Sequence, residues 1–173
     1  MRPLIVSGCP GAGKSTVTRR LAAMCDRGVR VDTDAFFDFI AHPIDPSKPA
    51  SAKQNESVVR AWCATASAFV SGGYDVFVDG VIGPWWFPVI RSVLGKFDFV
   101  LLTVPLEVSL ARVHAREGQP GARPSVVERM YPQFARLADE FASQSIETDG
   151  LDIASTVQRV LALQTSGRCR VAG

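Results

Sequence analysis

Eight consecutive residues, Gly8-Cys9-Pro10-Gly11-Ala12-Gly13-Lys14-Ser15, carry the most specific chemistry in the chain. They fit G-x-x-x-x-G-K-[ST], a loop that wraps phosphates. Glycine-rich backbone can curl so that successive N–H groups converge on one anion, and a following helix adds the positive end of its dipole. The lysine reaches the β- and γ-phosphates of a nucleotide, and the serine hydroxyl can ligate Mg²⁺. From ordinary residue frequencies, such a match arises by chance in fewer than about one chain in a hundred of this length. An ordinary glycine turn would not need lysine and serine in register with both flanking elements. Leu4-Ile5-Val6 reads as a buried strand before the loop, and Ser15 to Met24 has helical spacing after it. The candidate nucleotide contacts are Gly8, Pro10, Gly11, Ala12, Gly13, Lys14, Ser15 and Thr16, with ATP and Mg²⁺ as the implied ligands.

Carboxylates supply the second half of a phosphoryl-transfer site. Val76-Phe77-Val78-Asp79 is an apolar strand ending in aspartate. Beside a phosphate loop such an acid holds Mg²⁺ directly or through water; the other reading is a turn-forming aspartate before Gly80. Asp32-Thr33-Asp34 puts two carboxylates on the same side of an extended segment. One can assist the metal. The other can orient or deprotonate a substrate hydroxyl in line with the γ-phosphate. Asp34 also suits the N-cap of a short helix at Phe36, and the two roles are compatible. The metal candidates are thus Ser15, Asp32 and Asp79, with the choice between the two aspartates open.

The elements that must position these groups follow from periodicity. Strands are expected near Leu4–Val6, Val29–Asp32, Tyr74–Val78, Phe97–Val104 and Ser145–Glu147. Helices are expected over Ser15–Met24, Phe36–Ile40, Gln54–Val70, Trp85–Leu94, Leu106–Glu117, Ser125–Ser143 and Ile153–Gln164. Phe99-Val100-Leu101-Leu102 has no polar alternation, which suggests a parallel strand buried on both faces. The alternation of strand and helix predicts an α/β, three-layer fold: a five-stranded parallel sheet flanked by helices and a small lid. Ligands in such sheets bind beyond the carboxyl ends of the strands, where Asp32, Asp34 and Asp79 fall. One domain over residues 1–173 is expected, with a lid at about 112–128 and a frayed tail over 165–173.

Bulk properties narrow the partners. A formal net charge of +2 does not demand a nucleic-acid face. Cys9, Cys25, Cys63 and Cys169 form no C-x-x-C pair, and only His42 and His114 are available beside them, so a zinc site is not expected. Apolar runs are of strand length, which predicts no membrane span and a cytoplasmic protein with free thiols.

The GCPGAGKS loop, the DTD after the second strand and the Arg123-Pro124 pair together resemble the small P-loop kinases of the shikimate kinase and gluconate kinase type, a group that includes chloramphenicol phosphotransferase. That resemblance implies roles for further residues. Asp32 and Asp34 match the aspartates that serve magnesium and substrate. Arg112 matches an adenine-stacking arginine, Arg123 a lid arginine on the phosphates, and Arg116 a second lid candidate. Arg60 matches an arginine that grips a substrate carboxylate. Two departures bear on the acceptor. Asp79-Gly80-Val81-Ile82-Gly83 replaces the family's triple-glycine turn, which disfavours shikimate. Ala35-Phe36-Phe37 lacks the arginine by which nucleoside monophosphate kinases hold a phosphorylated acceptor.

Aromatics cluster at Phe36, Phe37 and Phe39 and again at Trp85, Trp86 and Phe87. They read either as walls of an apolar acceptor pocket, with Phe37 and Trp85 as candidate contacts, or as core. Adjacent tryptophans cannot share one helix stripe, so at least one should leave the core. The expected function is ATP-dependent transfer of the γ-phosphate to a hydroxyl of a small, non-phosphorylated molecule, by a monomer or homodimer. Lys14, Asp34, Arg116 and Arg123 are the catalytic candidates. The alternatives are a regulatory ATPase acting through a protein partner, and a polynucleotide or nucleotide kinase.

Overall fold

The computed structural model describes residues 2–115 and 123–171. Its strands are β1 (Leu4–Gly8), β2 (Gly28–Asp32), β3 (Asp75–Asp79), β4 (Asp98–Thr103) and β5 (Ser145–Glu147). They form one parallel sheet in the order β2-β3-β1-β4-β5. The helices are α1 (Lys14–Ala23), α2 (Ala52–Ser71), α3 (Phe87–Leu94), α4 (Leu106–His114), α5 (Pro124–Glu140) and α6 (Ile153–Ser166). The three-layer α/β expectation is met. Among the described residues no helix is long and apolar enough to cross a membrane.

Two apolar layers sandwich the sheet, and strand periodicity explains both. Phe99 and Leu101 of β4 point to one face, with Ile5, Trp62, Ile90, Phe134 and Leu137. Val100 and Leu102 point to the other, with Leu4, Val6, Val17, Leu21, Val157 and Val160. Phe99-Val100-Leu101-Leu102 of β4 is an unbroken apolar run because helices cover both faces of the strand there. Trp62 of α2 is 1 % exposed, and truncating so large a buried ring costs about 3–5 kcal/mol. Phe87, at the start of α3, packs edge-on against Phe97, Phe99 and Phe141.

Several local expectations change. The short helix near Phe36 is only a 3-10 turn over Asp34–Phe36, followed by a hydrogen-bonded turn through Phe39. Pro84–Trp86 forms another such turn, and α3 begins after it. Part of the expected lid, 116–122, lies outside the described residues. Of the tail read as frayed over 165–173, residues 165–171 are placed, and 172–173 lie outside the described residues. The helix α6 runs to Ser166, Cys169 is fully buried, and the Phe99 amide donates to the Cys169 carbonyl at 2.7 Å. Arg170 adds an antiparallel bridge to Asp98. The reason is geometric. β5 has three residues and pairs only with Leu101–Thr103, so the start of β4 would be left with open backbone groups on that edge. The segment after α6 fills the gap.

The proline-rich loop after the 3-10 turn is fastened to α2. The Gln54 amide both accepts from the Ile44 N–H and donates to the Ile44 carbonyl, each at 2.8 Å. Asn55 donates to the Pro46 carbonyl at 2.8 Å.

Candidate active site

The glycine loop leaves β1 at Gly8, with φ +149, and a Cβ there would strike the Leu102 carbonyl oxygen of β4. Gly11, at φ +85, lies against the backbone of Ser109 in α4. Only glycine combines these dihedrals with such close approach. Three side chains from distant sequence then hold the loop by its carbonyls. The Ser109 hydroxyl donates to Pro10 at 2.5 Å, the Arg112 guanidinium to Gly11 at 3.1 Å, and the Thr148 hydroxyl to Ala12 at 3.3 Å. In a planar peptide an engaged carbonyl turns the next N–H the opposite way, so the bonds to Pro10 and Ala12 favour the Gly11 and Gly13 N–H groups facing the concave side, while the Ala12 N–H donates to the Cys9 carbonyl at 3.2 Å. Lys14 folds back so that its ammonium donates to the Cys9 carbonyl at 3.1 Å. Cys9 itself is buried, which pushes its thiol pKa up against the pull of Lys14, so it is an uncharged spacer.

Parallel register brings the acids to this loop. Asp32 at the end of β2 lies opposite Asp79 at the end of β3, and β3 pairs with β1, the strand that feeds the loop. Asp79 is 2 % exposed. Its carboxylate accepts from the Ser15 hydroxyl at 2.6 Å and from the Thr18 hydroxyl, one turn further along α1, at 3.0 Å. Arg30 completes the cluster. Its Nε and Nη2 donate to Asp79 at 2.7 and 3.1 Å, and Nη2 also donates to Asp32 at 2.7 Å. Burial alone would lower the Arg30 pKa, but the bonds to the two carboxylates outweigh it and raise it. The other Asp32 oxygen accepts from the Asp34 amide at 3.2 Å.

Asp34 differs from both. It is exposed at the start of the 3-10 turn, beyond the end of β2. Desolvation raises its pKa above the usual carboxylate value; Lys14 and Arg30 oppose the rise, and Asp32 and Asp79 reinforce it. A carboxylate held this way binds a proton more readily than a solvated one, as a hydroxyl-orienting base requires. It is not an N-cap with a side-chain bond, because the short turn it starts has none.

These residues fit Mg²⁺. The Ser15 hydroxyl spends its proton on Asp79, which leaves its oxygen lone pairs for a cation. Asp32 has a side chain 39 % exposed. The donors are all oxygen, the hard set that Mg²⁺ takes.

The remaining candidates separate. Arg112 lies against the loop through Gly11. Arg123 is exposed at the residue before α5, and Arg116 lies outside the described residues. Arg60 is bound by its own helix neighbour Glu56, at 2.8 Å. Phe37 packs against the core, whereas Phe39 is 81 % exposed and stands edge-on to Phe36. Of the tryptophan pair, Trp86 packs inward and Trp85 is 44 % exposed, edge-on to Phe134 of α5 at 6.5 Å. Arg30, Thr18, Ser109 and Thr148 were not singled out from sequence. A signal for Arg30 existed: it sits two residues before Asp32, on the same face of the strand. Ser109 and Thr148 act across 99 and 136 positions, and no local pattern marks Ser109.

Comparisons with known proteins bear on the family and the fold. A family model described as AAA domain matches residues 4–131. The chain is similar to the shikimate kinase of Rhodococcus jostii (strain RHA1), with 28% identity over 172 residues, 91% of this chain and 95% of that protein. Among solved structures it resembles an unliganded sugar kinase from Janibacter sp. HTCC2649, with TM-score 0.69, 19% identity and 95% of each chain covered. It also resembles the tunicamycin resistance protein of Deinococcus radiodurans, with TM-score 0.67, 18% identity and 100% of each chain covered. At those identities the structural likenesses show a shared fold.

Proposed function

The chain belongs to the AAA domain family, and from that footing we propose that it transfers the γ-phosphate of ATP to a hydroxyl of a small, non-phosphorylated molecule. The observation that carries this reading is the junction of two half-sites. Ser15 of the phosphate loop is bonded to Asp79, Asp79 lies opposite Asp32 in the sheet, and Asp34 follows within the electrostatic reach of Lys14. A nucleotide-binding switch needs the first half only; an acceptor-side carboxylate beside the transferring phosphoryl is what a kinase adds.

In this reading the loop amides and Lys14 hold the phosphates and offset charge on the transferring group. Asp34 accepts a hydrogen bond from the acceptor hydroxyl, aims its oxygen, and takes its proton as the new O–P bond forms. Mg²⁺, held by Ser15 with Asp32 or Asp79, would neutralise charge on the phosphate oxygens. Arg123 and Arg116 are proposed lid groups and Arg112 an adenine-side group, on resemblance alone.

The acceptor is proposed to be an alcohol with an apolar side and no acidic group to be gripped by Arg60. Arg60, which would hold a carboxylate in shikimate-type sites, already has Glu56. Exposed Phe39 and Trp85, on segments that follow β2 and β3, suit the flank of a bulky alcohol. The similarity to a tunicamycin resistance protein is in keeping with such a substrate.

The test is a screen of hydroxyl-bearing small molecules for ATP-dependent phosphorylation, read by mass. Transfer should vanish in Lys14→Ala. Asp34→Asn should keep nucleotide affinity and lose transfer. Full turnover by either variant would sink the mechanism.

A further inference from the structure

Arg30 stands where a divalent cation would otherwise find the most negative charge. A carboxylate offers about four lone-pair positions. Each Asp79 oxygen faces two donor groups: the Ser15 and Thr18 hydroxyls at 2.6 and 3.0 Å, and Nε and Nη2 of Arg30 at 2.7 and 3.1 Å, with the single Thr18 proton shared with the Lys14 carbonyl at 3.1 Å. Asp79 therefore has less to offer a metal ion or its water than a carboxylate with open lone pairs. Asp32 differs. Its contact with Arg30 is a single bond at 2.7 Å, and its side chain is 39 % exposed against 3 % for Asp79.

We propose that Arg30 is a built-in counter-cation of the metal site, a positioning residue that commits Asp79 to aligning Ser15 and Thr18, leaves Asp32 as the acid that meets Mg²⁺, and holds metal affinity down. The inference rests on the reading that the loop binds a magnesium nucleotide. The physical basis is charge. Asp32 and Asp79 together carry two negative charges, and Arg30 cancels one of them within direct bonding distance of both. A fixed positive charge this close, in a site only partly open to water, opposes a divalent ion strongly. It also keeps Asp79 from swinging toward the metal and releasing Ser15, whose hydroxyl must point its lone pairs outward.

The proposal differs from a purely structural role in the sign of one measurement. An arginine that merely braced the acids would, when removed, leave them disordered and the metal more weakly bound. A counter-cation, when removed, leaves the metal more tightly bound. The experiment uses the whole chain saturated with ADP. Mn²⁺ serves as the probe for Mg²⁺, and its free concentration is read from its electron paramagnetic resonance signal. Thermal melts establish that each variant is folded.

Arg30→Gln should tighten Mn²⁺ binding by about tenfold. Asp32→Asn should weaken it by about tenfold or more. The double variant Arg30→Gln with Asp79→Asn removes one charge of each sign and should stay within about threefold of wild type. Arg30→Gln that is folded yet binds Mn²⁺ no tighter, or more weakly, overturns the proposal. So does a double variant as weak as Asp32→Asn, or an Asp32→Asn protein with unchanged affinity. Where the single arginine variant does not fold, the double variant decides, because it leaves no unpaired buried charge. A wild-type protein that binds no Mn²⁺–ADP would instead refute the kinase reading itself.

Discussion

The Arg30–Asp79 pair allows the stability cost of breaking the site to be worked out before it is measured. In Asp79→Asn, the amide would place an N–H₂ group where one oxygen now accepts donors from Ser15 and Arg30, or from Thr18 and Arg30. Two donors would then face a donor. The Arg30 side chain, 19 % exposed, would lose the partner that takes two of its three bonds here. Removing one member of a buried ion pair costs about 3–5 kcal/mol. Arg30 keeps Asp32, so the lower end applies: about 3 kcal/mol. That is a large share of the roughly 5–15 kcal/mol that holds a domain together. In a domain of this size it lowers the melting temperature by about 6–12 °C. Removing both partners removes the unpaired charge, and the double variant with Arg30→Gln should lose only about 0–2 kcal/mol relative to wild type. Urea unfolding of the four proteins of the cycle, in metal-free buffer, gives the coupling energy. A coupling below about 1 kcal/mol would show that the pair is solvated and worth no more than a surface ion pair. The reasoning about a closed, fully bonded Asp79 would then be wrong.

Four further outcomes are expected. Gly8→Ala puts a methyl against the Leu102 carbonyl at φ +149, so it should lose at least about 2 kcal/mol of stability and most of its ADP affinity, by thermal melt and nucleotide titration. Ser109→Ala strips the buried Pro10 carbonyl of its donor and should cost about 1–3 kcal/mol in urea unfolding, with weaker ADP binding. Trp85→Ala, at an exposed position, should change stability by less than about 1 kcal/mol while raising KM for the acceptor and sparing nucleotide affinity. The raised pKa of Asp34 means that the fold favours its protonated form, so its stabilising contribution is present below the unfolded value of 3.8 and is lost as pH rises through the higher folded value. Asp34→Asn should therefore melt slightly above wild type at neutral pH, and the gap should close in acid; an Asp34→Asn protein that melts lower at neutral pH contradicts this.

Sequence reasoning reached the site wherever chemistry is written in consecutive residues. Gly8 to Ser15, Asp32 with Asp34, and Asp79 at a strand end are local patterns, and β-strand register alone carries them to one place. It failed where a residue's work is set by distant partners. Ser109 looked like an ordinary helix residue, yet it bonds Pro10. Arg60 matched a family position, and its exposed ion pair with Glu56 one helical turn away is visible in the sequence only as a spacing. Phe37 and Trp85 had the same aromatic signal and separated in the fold, one packed against the core and the other 44 % exposed. The ending was misread for a similar reason. Gly167 to Val171 has only four alternating residues, Arg168-Cys169-Arg170-Val171, too few to mark a strand, and its order comes from the edge of β4 that β5 is too short to cover.

That last feature has a consequence for how the protein is made. A nascent chain that has emerged through Glu147 already contains every strand of the sheet, but the Phe99 amide still lacks its partner at Cys169. An unfinished sheet edge accepts strands from other chains. Closure waits for the stretch from Glu147 to Val171, 24 positions later (171 − 147). A chain stalled or cut within α6 stays in that state permanently and should be found in aggregates or with chaperones.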